Sequence, residues 1–295
     1  MKFMRNTLLL IIALSVTALA DQEGSNNPDT IRQQSAIASS YNFDAVPDNA
    51  GKDITVAIIS QGVSSALKDR LGDRLTAVSV QAGDSDPILE GDSLGTNAVS
   101  LVAALAPHAK LVLIKAADKD GHSSVDDIKN GVIRATEQDA KIIIITLGGG
   151  FDTYPAVDAA VNAAMKKGAI VMAASGQEGE QKPGFPANIV GVIAVGAVDS
   201  DGKMASYSNY GGKTIFAPGV DILSEGNNAS GTSYSVTIAG AILSVLWSQN
   251  PSLSGQQIVD AVTGSTKAMI NTDGTSENKL IDAKAALEAI QKLQK

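Results

Sequence analysis

The stretch Ile54-Thr55-Val56-Ala57-Ile58-Ile59, followed at once by Ser60-Gln61-Gly62, decides the fold of this chain. It is short, almost wholly apolar and rich in β-branched residues, which is typical of a strand in a parallel sheet covered on both faces. Similar apolar runs follow at 111–116, 142–147, 169–174 and 192–198. The sequence therefore predicts at least five buried parallel strands.

Helix-length amphipathic patterns lie between or after these strands. They span 95–105, 124–136, 156–167, 235–249 and 254–266, and a last helix is predicted at 280–293. Strands that alternate with helices predict a three-layer αβα sandwich with a mostly parallel sheet. Ligands of such folds bind at the carboxyl ends of the strands. Ser60, Thr146 and Gln177 all fall at or just past a strand end, as a binding cleft there requires.

The N-terminal residues carry the pattern of a secretory signal peptide. Lys2 and Arg5 precede an apolar stretch at 8–16, and Ala18-Leu19-Ala20 provides small residues for cleavage. We therefore predict a signal peptide at 1–20, a polar N-terminal extension at 21–53 and one domain at 54–295. This predicts a secreted or periplasmic protein that begins at Asp21, with no membrane span in the mature chain. A retained N-terminal anchor is the alternative.

Composition narrows the choice of partners and cofactors. The chain has 23 basic and 31 acidic residues and a net charge of −8, which argues against a nucleic-acid partner. It contains no cysteine, so disulfides and thiolate zinc sites are excluded. Asp84-Ser85-Asp86 and Asp199-Ser200-Asp201-Gly202 each match only part of a calcium loop and are interpreted as turns. We expect no cofactor and no metal.

Five motifs occur in chain order at consistent spacing. They are 54–63, Leu94-Gly95-Thr96-Asn97-Ala98-Val99, Thr146-Leu147-Gly148-Gly149, Ala173-Ala174-Ser175-Gly176-Gln177-Glu178-Gly179 and Gly231-Thr232-Ser233. Together they resemble the motifs of the subtilisin-like serine proteases (the subtilase or peptidase S8 family). The resemblance runs from about residue 54 to about residue 266. It implies a subtilisin-like fold with a serine nucleophile.

The resemblance also assigns positions in the site. The family's nucleophile falls on Ser233, its catalytic aspartate on Ser60, its histidine on Leu94 and its oxyanion-hole asparagine on Gln177. The substrate-binding wall falls on Thr146, Leu147, Gly148 and Gly149, and His122 falls among the outer substrate subsites. Two of the three triad positions therefore carry side chains that cannot accept or relay a proton.

A serine hydroxyl needs a base, and in a triad the histidine takes the proton while the aspartate holds the imidazolium. We therefore expect an inactive serine endopeptidase homologue that binds an extended peptide or protein segment in the inherited cleft, by strand addition. Two other interpretations stay open. The protein could be an active serine hydrolase with a non-standard base such as a lysine, or a decoy for protease inhibitors or pro-domains.

Three polar side chains have simpler interpretations. Ser233 could be only a helix N-cap. His108, after the first long helix, is expected at the surface on the wrong side of that helix. His122 could touch a bound peptide, but its place in the motif does not predict a catalytic role.

Overall fold

A computed structural model describes residues 47–293, together with Ile37 and Ser40. The predicted signal peptide and most of the polar extension lie outside these described residues. Within them, no helix is long and apolar enough to cross a membrane.

The predicted αβα architecture is confirmed. Nine strands form the central sheet, and two more form a separate small hairpin. In chain order they are β1 Thr55–Ser60, β2 Leu75–Ser79, β3 Lys110–Lys115, β4 Ile142–Ile145, β5 Ile170–Ala174, β6 Ile193–Val198, β7 Ile215–Pro218, β8 Ile222–Ser224, β9 Asn227–Ala229, β10 Lys267–Ile270 and β11 Ser276–Leu280.

Seven α-helices and one short 3₁₀ turn at Gly72–Arg74 complete the described part of the chain. The helices are α1 Ser65–Leu71, α2 Leu94–Leu105, α3 Val125–Glu137, α4 Pro155–Lys166, α5 Thr232–Gln249, α6 Gly255–Thr263 and α7 Ala283–Leu293. Serine side chains cap four of them: Ser64, Ser93, Ser124 and Ser254 each accept a hydrogen bond from a backbone N–H of the first turn.

The strand order is β10-β11-β7-β6-β5-β4-β1-β3-β2. All neighbours are parallel except β10 and β11, which pair antiparallel at one edge. The carboxyl ends of the parallel strands therefore meet at one edge of the sheet. There Ser60, the last residue of β1, lies beside Lys115 of β3.

Alternate residues of each central strand face opposite layers of helices, as the period of a strand requires. Val56 and Ile58 pack with the core residues of α2 and α5. Ala57 and Ile59 pack with those of α3 and α4 on the other face. The sheet is thus buried on both sides, which explains why its strands show continuous apolar runs rather than alternation.

The C-terminal elements differ from the prediction. Helix α6 ends at Thr263 rather than at residue 266, and α7 begins at Ala283 rather than at residue 280. The reason is the hairpin β10–β11, which occupies 267–280 and extends the sheet beyond β7. Its strands are short and half-exposed, so they lack a long apolar run. Helix α5 also begins three residues earlier than predicted, at Thr232.

Candidate functional site

Ser60, at the family's aspartate position, is fully buried at the carboxyl end of β1. Its Oγ accepts a hydrogen bond of 2.8 Å from the Thr146 hydroxyl, which also lies 3.2 Å from the Ile59 carbonyl oxygen. Thr146 directly follows β4, the strand next to β1. A small hydroxyl on one strand is therefore bonded to a small hydroxyl on its neighbour, where an active member of the family has a carboxylate.

Ser233 is the second residue of α5, and its hydroxyl is directed at the cleft wall. The Ser233 Oγ donates to the Thr146 carbonyl oxygen at 2.8 Å. The N-cap position belongs to Gly231, so the interpretation of Ser233 as a helix cap is wrong. Thr146 thus joins the nucleophile position to the aspartate position, through its carbonyl on one side and its hydroxyl on the other.

Leu94 is the first residue of α2, and its half-buried side chain packs against the core between the sheet and α5. The preceding residue, Ser93, caps the helix by accepting from the Thr96 N–H at 3.1 Å. Leu94 offers the site only its backbone N–H, which donates to the Gln61 Oε1 at 2.9 Å. No proton acceptor therefore stands at the histidine position.

Gln61 is a positioning residue that sequence reasoning missed. Its amide nitrogen donates to the carbonyl oxygens of Asp118 and Lys119, both at 3.1 Å, while its Oε1 holds the Leu94 N–H. One side chain therefore ties the end of β1 to the start of α2 and to the loop after β3. The only local signal was a polar residue immediately after a buried strand.

Gln177, at the oxyanion position, is exposed in the segment that follows β5. Its side-chain oxygen lies close against Gly231, where an added Cβ would come within 2.8 Å of it. Its backbone N–H donates to the Glu178 carboxylate at 3.0 Å, and that carboxylate also accepts from the Asn209 amide. The Gln177 side chain is therefore next to the start of α5, as the resemblance predicts.

The predicted substrate wall is an extended segment at the edge of the cleft. Gly148 has a φ of +143°, and any Cβ there would collide with the Phe185 carbonyl, so this position requires glycine. The next N–H, from Gly149, donates to that same carbonyl at 2.8 Å. Leu147 is buried with the core against α3 and α4. The wall is therefore fixed by backbone contacts on the side away from Ser233.

His122 lies in the loop after β3 with 82% of its side chain exposed, and its Nδ1 is 3.3 Å from the Asp118 Oδ2. The backbone N–H of His122 lowers the pKa of Asp118. Asp118, Asp120 and His122 are the one group in the described chain whose side chains could together hold a cation, with ligand atoms within 4.8 Å of one another. The Asp118 Oδ1 is already used by the N–H groups of its own turn. His108 is also exposed, as expected.

Lys115 is the lysine nearest to the aspartate position, and its side chain is 96% buried. Its ammonium group donates to the Asp84 Oδ2 at 2.6 Å and to the Asp86 carbonyl at 3.0 Å. This contact, with the Asp86 N–H, lowers the pKa of Asp84. Lys115 is thus engaged with the loop after β2 and is not bonded to Ser233.

A polar trio that the sequence did not suggest flanks the altered site. The amide nitrogen of Asn97, one turn into α2, is 2.9 Å from the Asp92 carboxylate and 3.5 Å from the hydroxyl of Tyr234, the residue after Ser233. Burial, and secondarily the charge of Asp92, raises the pKa of Tyr234. Asp92 therefore contacts a side chain of α2, while the N-cap of that helix is Ser93.

The Ser233 hydroxyl is bonded to the backbone rather than to a titratable side chain. Among the residues that the structure describes, the hydrogen-bond partner of the Ser233 Oγ is a backbone carbonyl, and no histidine, carboxylate or lysine is bonded to it. A cavity of about 750 Å³ lies elsewhere, at the amino ends of β5, β6 and β7 beside α6. The cleft contains a glycine-rich wall, a buried pair of hydroxyls from Ser60 and Thr146, and the exposed side chain of Gln177.

Comparisons with known proteins agree with this geometry. A family model described as the subtilase family matches residues 51–283. The chain is 33% identical over 225 residues to a thermophilic serine proteinase of Bacillus sp. (strain AK1), covering 71% of this chain and 55% of that protein. It is 30% identical over 241 residues to thermitase of Thermoactinomyces vulgaris, covering 76% and 85%.

Solved structures give the same fold. The protease domain of PatA superposes with a TM-score of 0.72 at 22% identity, over 83% of this chain and 98% of that one. A cold adapted subtilisin-like serine proteinase gives a TM-score of 0.69 at 23% identity, over 80% and 90%.

Proposed function

The chain belongs to the subtilase family, and from that membership we propose that it is an exported protease homologue without endopeptidase activity that holds an extended peptide segment in its cleft. The observation that carries the proposal is the hydrogen bond from the Ser233 hydroxyl to the Thr146 carbonyl, beside a leucine at the histidine position. A hydroxyl bonded in this way has no base to remove its proton.

The expected loss of rate is large. Removing one member of a serine-protease triad lowers kcat by roughly 10⁴- to 10⁶-fold, a range measured partly on a subtilisin. This chain has replaced two members, Ser60 and Leu94. The altered oxyanion position at Gln177 is a further change, since losing that donor costs about 10²–10³-fold in a subtilisin. Residual turnover of peptide bonds is therefore expected to be unmeasurable.

Peptide binding is supported by what the cleft keeps. The segment from Thr146 to Gly149 directly follows β4, and at Gly149 no side chain stands between the backbone and an approaching strand. Gly149 and Gly150 have no neighbouring atoms within 4 Å of an added Cβ. Backbone groups at such an edge bind extended peptides by strand addition. A protease inhibitor or a pro-domain presents an extended segment of this kind, and such a protein is the kind of macromolecular partner we propose.

The alternative, a serine hydrolase with a lysine base, has less support. The lysine at the carboxyl end of β3, Lys115, is held by Asp84 and by the Asp86 carbonyl. Its ammonium group is directed at these two oxygens, and the Ser233 hydroxyl is bonded to the Thr146 carbonyl instead, so Lys115 is not placed to take the Ser233 proton.

The decisive experiment is activity profiling of the secreted protein, whose intact mass should show a chain that begins at Asp21. We expect no turnover of casein or of a broad peptide library, and no labelling by a fluorophosphonate probe. The Ser233→Ala variant is the matched control. Turnover or labelling that disappears in this variant would establish an overlooked base and overturn the inactive assignment.

Peptide binding is measured separately, by hydrogen exchange with the same peptide library present. A bound strand should slow exchange at Leu147, Gly148 or Gly150, whereas the Thr146 and Gly149 amides, which already donate to Ile59 and Phe185, should change less. Unchanged exchange along the whole wall with every peptide would refute the binding half of the proposal and leave the inactive assignment standing.

A further inference from the structure

Acidic side chains are concentrated at the cleft end of the sheet. The segments that follow the carboxyl ends of β2 to β7, at 80–93, 116–124, 146–154, 175–192, 199–203 and 219–231, hold thirteen carboxylates and three lysines. The segments that lead into the amino ends, at 47–54, 72–74, 106–109, 138–141, 167–169 and 204–214, hold four carboxylates and five basic residues. The negative charge of the protein is therefore polarised toward the cleft.

Two of these carboxylates, Asp92 and Glu178, contact residues of the candidate site, and two more lie in segments that adjoin it along the chain. Asp92 is bonded to Asn97 on α2, and Glu178 to the backbone of Gln177. The N–H of Asp221 donates to Ser230, two residues before α5. Asp152 follows the wall segment 146–149 along the chain. In the described part of the chain, no lysine or arginine forms an ion pair with any of the four.

A buried acceptor without a partner lies in the same place. Asn97 is only 2% exposed, and its Oδ1 finds no hydrogen-bond partner among the residues that the structure describes. Its amide nitrogen lies against Asp92 and the Tyr234 hydroxyl, so the neighbourhood supplies oxygen atoms and no positive charge. An unsatisfied buried oxygen is costly, and a donor-rich group that reaches it would relieve that cost.

Two tyrosines of this region have a raised pKa, mainly because they are buried and secondarily because a carboxylate is near. Burial, and secondarily the charge of Asp221, raises the pKa of Tyr207 to about 12. The Tyr207 hydroxyl donates to the Gly219 carbonyl at 2.8 Å, beside the segment that leads to Ser233. Tyr207 and Tyr234 therefore both lie in a setting that resists further negative charge.

We infer that the cleft selects extended segments rich in lysine or arginine. The inference rests on the proposed peptide-binding function and names the chemistry of its partner. Low-dielectric walls lined by one sign of charge concentrate ligands of the opposite sign and exclude like-charged ones. Guanidinium and ammonium groups offer several N–H donors, which suit the carboxylates and the free Asn97 oxygen.

The test uses three ten-residue peptides with the same apolar residues at alternate positions and lysine, glutamine or glutamate at the others. Fluorescence anisotropy measures their Kd for the full chain. At low salt the lysine peptide should bind about tenfold more tightly than the glutamine peptide, and the glutamate peptide most weakly, since each exposed charge contact is individually weak. The differences among the three Kd values should become smaller at about 0.15 M salt, because exposed charges more than about 8 Å apart are then largely screened.

Two charge-matched variants locate the effect. The triple variant Asp92→Asn, Asp152→Asn and Asp221→Asn should reduce the lysine preference to less than about threefold, because these contacts carry it. The triple variant Asp48→Asn, Asp139→Asn and Asp260→Asn makes the same change in net charge away from the cleft and should keep the preference.

Each outcome decides a different point. Equal Kd values for the lysine and glutamine peptides would refute the charge inference and leave peptide binding intact. An equal loss of preference in both variants would refute the cleft as its location. Failure of all three peptides to bind would remove the proposed peptide-binding function, and this inference with it.

Discussion

Thr146 forms hydrogen bonds with both Ser60 and Ser233 and so connects these two residues of the candidate site. Its hydroxyl donates to Ser60 and its carbonyl accepts from Ser233, so one residue on the cleft wall satisfies both. The sequence predicted Thr146 only as part of a substrate wall. These hydrogen bonds also satisfy the hydroxyls of the buried Ser60 and the partly buried Ser233.

At the residue scale, we predict that three substitutions increase the reactivity of the Ser233 hydroxyl. The variant Leu94→His, Ser60→Asp and Gln177→Asn should react with a fluorophosphonate or an activated ester at least about tenfold faster than the unmodified chain. That is a small part of the roughly 10⁴–10⁶-fold that a triad member contributes. The carboxylate introduced at position 60 can accept a hydrogen bond from the Thr146 hydroxyl, and the imidazole introduced at position 94 supplies a base for Ser233. Intact-mass measurement of the acylated protein reports the rate.

The same triple variant with Ser233→Ala is the control, and it should not react. Two features oppose the restoration: the Ser233 hydroxyl must leave the Thr146 carbonyl, and a fully buried position must accept an aspartate. A triple variant that melts like the unmodified chain and shows no acylation would mean that the backbone has drifted from catalytic geometry. The peptide-cleft proposal would then be weakened as well.

At the scale of elements, the start of α2 depends on two kinds of contact. Ser93 provides a local cap, which the sequence predicted from residue type and position. Gln61 provides a second contact from outside the helix, since it accepts the Leu94 N–H and holds the loop after β3. The first turn of α2 is thereby fixed to β1 and to β3, although the family's histidine is absent.

Substitutions of Gln61 measure how much its contacts stabilise the start of α2, independently of the Ser93 cap. Gln61→Leu should lower the free energy of unfolding by about 1–3 kcal/mol, since it removes the acceptor of the half-buried Leu94 N–H and the side-chain donor of the Asp118 and Lys119 carbonyls. Gln61→Glu should cost less, because it keeps an acceptor for the Leu94 N–H. Urea unfolding followed by the fluorescence of Trp247, the single tryptophan, measures the change.

Hydrogen exchange at the Leu94 amide should become faster in Gln61→Leu and remain slow in Gln61→Glu. Gln256→Leu on the exposed face of α6 is the matched control and should leave both readouts unchanged. If Gln61→Leu leaves the Leu94 exchange rate unaltered, the bridging role assigned to Gln61 is incorrect.

At the scale of the whole molecule, the ion pair between Lys115 and Asp84 connects the sheet to the long segment between β2 and α2. The lysine is buried at the end of β3, and the aspartate lies in the loop after β2. The contact lowers the pKa of Asp84, chiefly through its hydrogen bond to Lys115. The folded state therefore binds a proton at Asp84 less readily than the unfolded chain does.

This difference predicts the direction of the acid response. The contribution of Asp84 to stability is complete above its ordinary pKa of 3.8 and is lost as pH falls through its lower value in the folded state. Asp84→Asn should therefore lose less stability than the unmodified chain as pH falls from 3.8 through the lower pKa of the folded state. At neutral pH it should be less stable than the unmodified chain, because buried Lys115 loses its carboxylate partner.

Urea midpoints across this acid range test the prediction, again with Trp247 as the probe. The exposed Asp69→Asn substitution on α1 is the control, and it should retain the full acid sensitivity of the unmodified chain. If the acid-induced loss is identical in Asp84→Asn and Asp69→Asn, Asp84 does not contribute to the pH dependence.

The sequence by itself determined the layered α/β fold and the places where chemistry would occur. Buried parallel strands, amphipathic helices and short motifs are local patterns, so they can be recognised without knowledge of distant contacts. Only the tertiary structure showed that Ser233 is bonded to Thr146, 87 residues earlier, and that Lys115 forms an ion pair with Asp84. It also showed that residues 267–280 add two strands to the sheet. These contacts depend on side-chain direction and on pairing between distant segments, which local periodicity does not specify.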